Sequence, residues 1–178
     1  MTSALSIGLL SISAVFYIAI VFAMYSDVRS LTIPNWTSIS IAAAFLPAAL
    51  MMDLGFVKIL MQYGIGIAAF LFGAIFFHFR MFGGGDVKLL AAICIWINPG
   101  ILPIYLALVA IIGGIVALAI LAMAKLPSAA LHRVMPWIES AKGKNIQLPY
   151  GIAIGAAAIT LPYFIAAFPV PWNNFNFF

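Results

Sequence analysis

The sequence predicts an all-α protein, a polytopic transmembrane helix bundle of about six spans with a short fourth helix. Of its 178 residues, 66% are hydrophobic and 7% are charged, whereas a soluble domain is about one quarter charged. The apolar residues fall into six runs that short polar segments separate. Because no water-soluble fold of this length could bury so much apolar surface, we expect residues 1–178 to form a single domain in the lipid bilayer.

The apolar runs have the lengths of membrane spans, with one exception. A helix that crosses the bilayer needs about 20 apolar residues. The runs are Leu5–Tyr25, Trp36–Met52, Ile59–Phe77, Val87–Ile97, Ile101–Ala124 and Leu148–Phe168. The fourth run ends after eleven residues at Asn98-Pro99-Gly100. A helix of that length measures about 17 Å, so we expect it to be short, tilted or broken.

Polar connectors join these runs, and some of their residues suggest how the helices begin. The connectors are Ser26–Asn35, Asp53–Lys58, His78–Gly85 and Lys125–Gln147. We expect Asn35 to cap the second helix and Trp36 to anchor it at the membrane interface. Residues 126–138 have the composition of a helix that lies on the membrane surface. The uncharged aromatic tail, residues 169–178, is expected at the interface.

The distribution of basic residues predicts the orientation of the bundle. Seven of the eight lysine and arginine residues fall on one side if the short fourth run counts as a crossing. The positive-inside rule makes that side cytoplasmic and places both termini outside. These seven residues are Arg29, Arg80, Lys88, Lys125, Arg133, Lys142 and Lys144.

A glycine-rich stretch, Phe82–Lys88, separates the third and fourth runs. Three successive glycines, Gly83 to Gly85, allow the backbone to adopt positive φ or to lie close against another backbone. Asp86 follows them and is well placed to cap the next helix. The stretch has the features of a peptide-cutting site beside a carboxylate, and equally those of a tight turn with a capping aspartate.

Two of the four acidic residues are candidates for catalysis. Asp27 and Asp86 lie at similar predicted depth on the cytoplasmic side, and each precedes a cation by two residues. Two carboxylates within a few Å cannot both ionise easily, so they hold one proton between them. Such a pair suits acid–base hydrolysis of a peptide bond. Interfacial charges without chemistry, or a proton or ion relay, would also explain them.

The other reactive side chains are expected to be structural. Cys94 is the one cysteine, which excludes an intrachain disulfide, and we interpret it as a small apolar packing residue. His78 and His132 lack the spacing of metal ligands, so no metal site is assigned. Asp53 and Glu139 are expected to be exposed connector residues.

Three motifs together resemble those of the type IV prepilin peptidases, which are membrane aspartic peptidases of the GxGD kind. The motifs are Asp27-x-Arg29 with Ile33-Pro34-Asn35, then Gly83-Gly84-Gly85-Asp86-x-Lys88, then Leu148-Pro149-Tyr150-Gly151, in the family's order. The resemblance implies that Asp27 and Asp86 are catalytic. The remaining signature positions are expected to shape the site: Arg29, Pro34, Asn35, Gly83, Gly84, Gly85, Lys88, Pro149, Tyr150 and Gly151.

The cysteine content separates this chain from the larger members of that family. Those members carry a cytoplasmic insert with paired CxxC motifs and methylate the new pilin N-terminus. With one cysteine, this chain is more similar to the small peptidases of tight-adherence (Flp-type) pilus systems. The archaeal preflagellin peptidases are further possible relatives.

The resemblance implies a function, and two alternatives stay open beside it. The implied function is removal of the short leader peptide from type IV, Flp-like prepilins at the cytoplasmic face of the bacterial inner membrane. The expected partners are prepilin and pilin-like precursors and the lipid bilayer, with no cofactor, metal or nucleic acid. The alternatives are a small transporter or channel component that uses Asp27 and Asp86 as a charged relay, and a non-catalytic assembly factor of a secretion system.

Overall fold

The computed structural model of the protein describes residues 2–79, 82–123 and 148–167. Within these ranges all regular secondary structure is helical, which confirms the predicted fold class. The helices are α1 (Thr2–Ser30), α2 (Asn35–Met51), α3 (Phe56–His78), α4 (Gly84–Cys94), α5 (Leu102–Met123) and α6 (Tyr150–Ala167). The predicted surface segment 126–138 and the tail 169–178 lie outside the described residues.

The described helices differ in their capacity to cross a membrane. By length and composition, three are long and apolar enough, over Ser6–Ser30, Phe56–His78 and Leu102–Met123. The apolar helices α2 and α6 are shorter. Helix α4 has eleven residues, so the prediction that the fourth helix is short is confirmed. At about 1.5 Å per residue it does not span the hydrocarbon core alone.

Helix α1 continues beyond its predicted end, and this changes the position of Asp27. The first apolar run ends at Tyr25, but α1 runs to Ser30. Leu31 adopts a left-handed conformation with φ of 52°, and its N–H donates to the Asp27 carbonyl oxygen at 2.9 Å. This geometry is a left-handed C-cap. Helix α1 therefore continues through the polar residues 26–30. Asp27 lies on its last turns rather than in a connector.

The start of α2 also differs from the prediction. Pro34 is the N-cap residue and Asn35 is already helical, without a side-chain capping bond. Thr37 instead donates its N–H and its hydroxyl to the Pro34 carbonyl, at 3.1 and 2.7 Å. The Asn35 side chain accepts a hydrogen bond from Lys88 Nζ at 2.9 Å. Its amide therefore links α2 to α4. Trp36, the predicted interfacial anchor, is half exposed. Its ring packs against that of Phe22, with 4.9 Å between the ring centroids.

The glycine-rich connector is shorter than predicted because two of its glycines are helical. Gly83 is the N-cap residue of α4, and Gly84 and Gly85 form its first turn. No glycine in the described ranges has a positive φ, so positive φ is not the reason for these glycines. Asp86 lies at the third helical position, and its Oδ2 accepts the Gly83 N–H at 3.1 Å. It thus caps the helix from inside, as the acidic residue of a capping box does.

Helix α4 lies in the interior of the bundle and packs against α2, α3 and α6. Its side chains Leu89, Ile93 and Cys94 are fully buried, which agrees with the packing role expected for Cys94. Just after α4, Trp96 donates its indole N–H to the Ile41 carbonyl at 2.9 Å. Helix α1 packs against α2 and α6, and α5 packs against α6. The N-terminal turns of α4 and α6 consequently approach the C-terminal turns of α1.

Candidate active site

Asp27 lies where the end of α1 meets the beginning of α6. Its side chain is 4% exposed, and its Oδ2 accepts the Gly151 N–H at 2.7 Å. The neighbouring N–H of Ile152 also interacts with this carboxylate. Both donors belong to the first turn of α6, where backbone N–H groups lack helical partners and attract negative charge. The N-terminus of α6 therefore holds the Asp27 carboxylate in place.

Asp86 occupies the first turn of α4, one residue before the apolar run that forms its body. The side chain is 7% exposed. Its Oδ2 is bound by Gly83, whereas Oδ1 is buried and has no hydrogen-bond partner among the described residues. Burial raises the pKa of Asp86 to about 6, although the N–H groups of Gly83 and Gly151 oppose the rise. The carboxyl group can therefore carry a proton at weakly acidic pH.

The structure brings Asp27 and Asp86 together at one backbone N–H. The Gly151 N–H that binds Asp27 also interacts with the Asp86 carboxylate. The two carboxylates are close enough to interact electrostatically. Since both are buried, ionising both costs more than ionising either one alone. We refer to Asp27 and Asp86 as the carboxylate pair.

Glycines surround the carboxylate pair because side chains would not fit. A Cβ on Gly83 would lie 2.8 Å from Asp86 Oδ2, and a Cβ on Gly151 would lie 2.7 Å from Asp27 Oδ2. A Cβ on Gly85 would lie 2.9 Å from the Cβ of Ile33. These values are shorter than real Cβ contacts. Gly84 differs, since its Cβ would make an ordinary contact with Phe77 at 3.4 Å.

The two cations of the motifs point away from the carboxylate pair. Arg29 donates to the Tyr25 hydroxyl at 2.6 Å on the exposed side of α1, and Lys88 donates to Asn35. Neither cation is among the groups that shift the titration of Asp86 or interact with Asp27. Both cations therefore have described hydrogen-bond partners other than the carboxylate pair.

The last predicted motif lies directly beside the pair. Pro149 is fully buried just before α6. The Tyr150 ring packs edge-on against Phe82, with 5.2 Å between ring centroids. This contact places Phe82, at the start of the glycine-rich stretch, against the first residue of α6. Together with the Gly151 hydrogen bond, it joins all three motifs at one end of the bundle.

Two contact residues, Ile33 and Phe82, belong to the sequence stretches described above but were not among the predicted site residues. Ile33 lies between the glycines, because added Cβ atoms on Gly85 and Gly151 would both meet it, at 2.9 and 2.8 Å. Phe82 contacts Tyr150. Both are apolar residues in a highly apolar chain, so their residue type does not distinguish them. Their positions next to the motif residues Pro34 and Gly83 were the sequence signal that could have identified them.

The described residues contain no cluster of three or more histidine, cysteine, aspartate or glutamate side chains that could hold a metal ion. The His78 ring instead packs edge-on against Phe79, with 5.7 Å between centroids.

Comparison with known proteins gives a family for the chain. The sequence model of the type IV leader peptidase family matches residues 14–118. This range contains both members of the carboxylate pair but not Gly151. Neither the curated proteins nor the solved structures gave a match. The family match confirms the resemblance seen in the motifs, and with its long apolar helices the chain is a membrane protein that belongs to the type IV leader peptidase family.

Proposed function

We propose that this protein is a membrane aspartic endopeptidase that removes the short leader peptide from type IV, Flp-like prepilins. The reaction would take place at the cytoplasmic face of the bacterial inner membrane, and Asp27 and Asp86 would activate the attacking water. One observation carries the proposal: two buried carboxylates from different helices interact at the Gly151 N–H. Family membership supports the peptidase activity, and the geometry supports this pair as its centre.

The proposed reaction uses one proton shared by the pair. The ionised carboxylate takes a proton from a water molecule, whose oxygen attacks the scissile carbonyl carbon. The protonated carboxyl group donates to the carbonyl oxygen and stabilises the charge that develops on it. When the C–N bond breaks, the leaving amine receives a proton from the pair. Water is consumed, and the pair returns to its starting protonation state.

The surroundings of the pair favour a substrate with a small residue before the cut. Gly83 and Gly85 are closely packed, since Cβ atoms there would meet Asp86 Oδ2 at 2.8 Å and the Cβ of Ile33 at 2.9 Å, so little room is left beside them for a side chain of the substrate. Helical peptide bonds are shielded by their own hydrogen bonds, so the scissile bond must lie in an extended segment. A pilin precursor with a basic leader in the cytoplasm and an apolar helix in the bilayer would present such a segment at the membrane boundary.

Cleavage of a defined precursor in a reconstituted system tests this proposal. The purified protein is placed in liposomes with candidate Flp-like precursors, and the products are identified by mass spectrometry. We expect one cut after a small residue, on the cytoplasmic side of the apolar helix, and an unmethylated amine on the product. Cleavage in the middle of the apolar helix, or of soluble peptides that lack it, would contradict the proposal.

A further inference from the structure

A ring contact joins the two residues that precede the N–H donors of the carboxylate pair. Those donors are Gly83 and Gly151, with hydrogen bonds of 3.1 and 2.7 Å to the two carboxylates. Phe82 directly precedes the first donor, and Tyr150 precedes the second. Their rings meet edge-on, with 5.2 Å between the centroids, which is a favoured geometry for aromatic pairs. We call this contact the aromatic clamp.

Each ring-bearing residue is connected to its donor through one peptide plane. The Gly83 nitrogen belongs to the peptide bond that starts at the Phe82 carbonyl, and the Gly151 nitrogen follows Tyr150 in the same way. Because a peptide bond is planar, the donor nitrogen stays about 2.4 Å from the Cα that carries the ring. A displacement of either aromatic residue therefore displaces its donor.

Ring contacts, rather than backbone hydrogen bonds, hold Phe82 in place. Its backbone makes no hydrogen bond to another described residue. Its ring packs against Tyr150 of α6 and against Phe76 of α3, with 5.6 Å between the centroids of the second pair. Gly83 itself is exposed and has no side chain that could pack. The position of this donor consequently depends on the Phe82 ring.

Ile33 limits the spacing of the same two helix starts in the opposite sense. Added Cβ atoms on Gly85 of α4 and Gly151 of α6 would both meet its side chain, at 2.9 and 2.8 Å. Ile33 therefore prevents the first turns of α4 and α6 from approaching further. The aromatic clamp opposes their separation, so the spacing is restricted in both directions.

We propose that Phe82 and Tyr150 are positioning residues, whose ring contact holds Asp27 and Asp86 at the spacing that cleavage requires. This inference rests on the proposed function and adds residues that act through the backbone donors rather than on the substrate. In the proposed reaction one carboxylate activates the water and the other donates to the scissile carbonyl, so both must reach one peptide bond. A displacement of about 1 Å in such a site can lower the rate about 100-fold.

A double-mutant cycle on precursor cleavage tests whether the two rings act together. Phe82→Ala, Tyr150→Ala and the double variant are compared with wild type in proteoliposomes, at equal amounts of folded, inserted protein. We expect kcat to fall about tenfold or more in each single variant. The double variant should fall no more than about twofold further, because the same contact is already lost. Losses that multiply in the double variant would overturn the inference.

A conservative substitution shows whether the ring or the hydroxyl of Tyr150 is needed. Tyr150→Phe keeps the ring and should recover most of the kcat that Tyr150→Ala loses. If phenylalanine gives no recovery, the ring contact does not position the carboxylates and the inference is wrong.

The pH profile of cleavage separates a positioning role from a loss of folded protein. Fewer folded molecules lower kcat/KM by the same factor at every pH. Carboxylates that are farther apart interact less, so the second of them ionises more readily. For Phe82→Ala we therefore expect the alkaline limb of the profile to move to lower pH by about one pH unit. An alkaline limb at the wild-type position would show that the clamp only stabilises the fold, and would overturn the inference.

Phe22→Ala is the matched control, because it removes another ring contact between two helices. Phe22 of α1 packs against Trp36 of α2, with 4.9 Å between centroids, and neither residue adjoins a donor of the carboxylate pair. Its alkaline limb should lie at the wild-type position. A limb displaced as far as that of Phe82→Ala would contradict a specific role of the clamp.

The two proposals can fail separately. If wild type and Phe82→Ala cut the precursor at the same rate, the inference is wrong and the proposed function stands. If the wild-type protein cuts none of the precursors in the same liposomes, the proposed function fails and the inference fails with it.

Discussion

The backbone N–H of Gly151 donates a hydrogen bond of 2.7 Å to Oδ2 of Asp27, across 124 positions of the chain. It joins the last turns of α1 to the first turn of α6. The same N–H interacts with Asp86 on α4, so three helix ends converge on one donor. The position of the carboxylate pair therefore depends on packing between helices that are distant in sequence.

Replacing Gly151 by alanine should displace Asp27. The new Cβ would lie 2.7 Å from Asp27 Oδ2 and 2.8 Å from the Cδ1 of Ile33. We expect kcat/KM for precursor cleavage to fall about 100-fold, since a displacement of about 1 Å can have that effect. Gly64→Ala is the matched control, because nothing lies within 4 Å of a Cβ there. Similar activity of the two variants would show that the close contact at Gly151 is unimportant.

Gly85, the residue before Asp86, should also be sensitive to added bulk. In Gly85→Val the Cβ meets the Cβ of Ile33 at 2.9 Å, and its two methyl groups add further bulk. We expect cleavage to fall by at least about tenfold. Gly114→Val on α5 points into open space and should retain activity. If both valines have equal effects on activity and on melting temperature, the close contact between Gly85 and Ile33 is unimportant for cleavage.

Much of this arrangement was accessible from the sequence, and the limits have physical causes. Apolar content and run length predicted the helical bundle, and motif order predicted that Asp27, Asp86 and Gly151 belong together. The end of α1 was misplaced because a polar segment was equated with a loop, whereas the left-handed Leu31 ends the helix. The contact between Asn35 and Lys88 joins residues 53 positions apart. The local sequence therefore predicted a helix cap at Asn35 and not this contact. Such long-range contacts have no local sequence signal.

The burial of Asp86 predicts a pH-dependent stability. Its pKa rises from the ordinary 3.8 to about 6 in the folded protein, so the folded state binds more protons between these values. The contribution of Asp86 to stability therefore falls as pH rises through this window and is lowest above about 6. We expect Asp86→Asn to melt at a higher temperature than wild type at about pH 8, with a smaller difference at about pH 5.

Melting curves in detergent, followed by tryptophan fluorescence, measure this difference. Asp53→Asn is the control, since Asp53 is exposed in a connector and its left-handed φ of 53° suits asparagine. Its melting temperature should follow that of wild type at both pH values. A difference between Asp86→Asn and wild type that does not change with pH would contradict the ionisation cost assigned to Asp86.

The orientation of the bundle is a prediction from its basic residues. Reporter fusions at Ser30 and Lys142 should both report the cytoplasm, because seven of eight cations are predicted on that side. A fusion at Asp53 should report the opposite side. An external signal from Ser30 would remove the carboxylate pair from the cytoplasmic face and would contradict the proposed site of cleavage.

Precursor cleavage by the two Asp→Asn variants tests the central proposal most directly. The rate of leader removal is measured in proteoliposomes for Asp27→Asn, Asp86→Asn and the control Asp53→Asn, at equal amounts of inserted protein. Asparagine neither accepts nor releases the required proton, so we predict background rates for the first two variants and nearly full activity for the third. Substantial cleavage by a purified Asp27→Asn or Asp86→Asn protein would contradict the proposed catalytic pair.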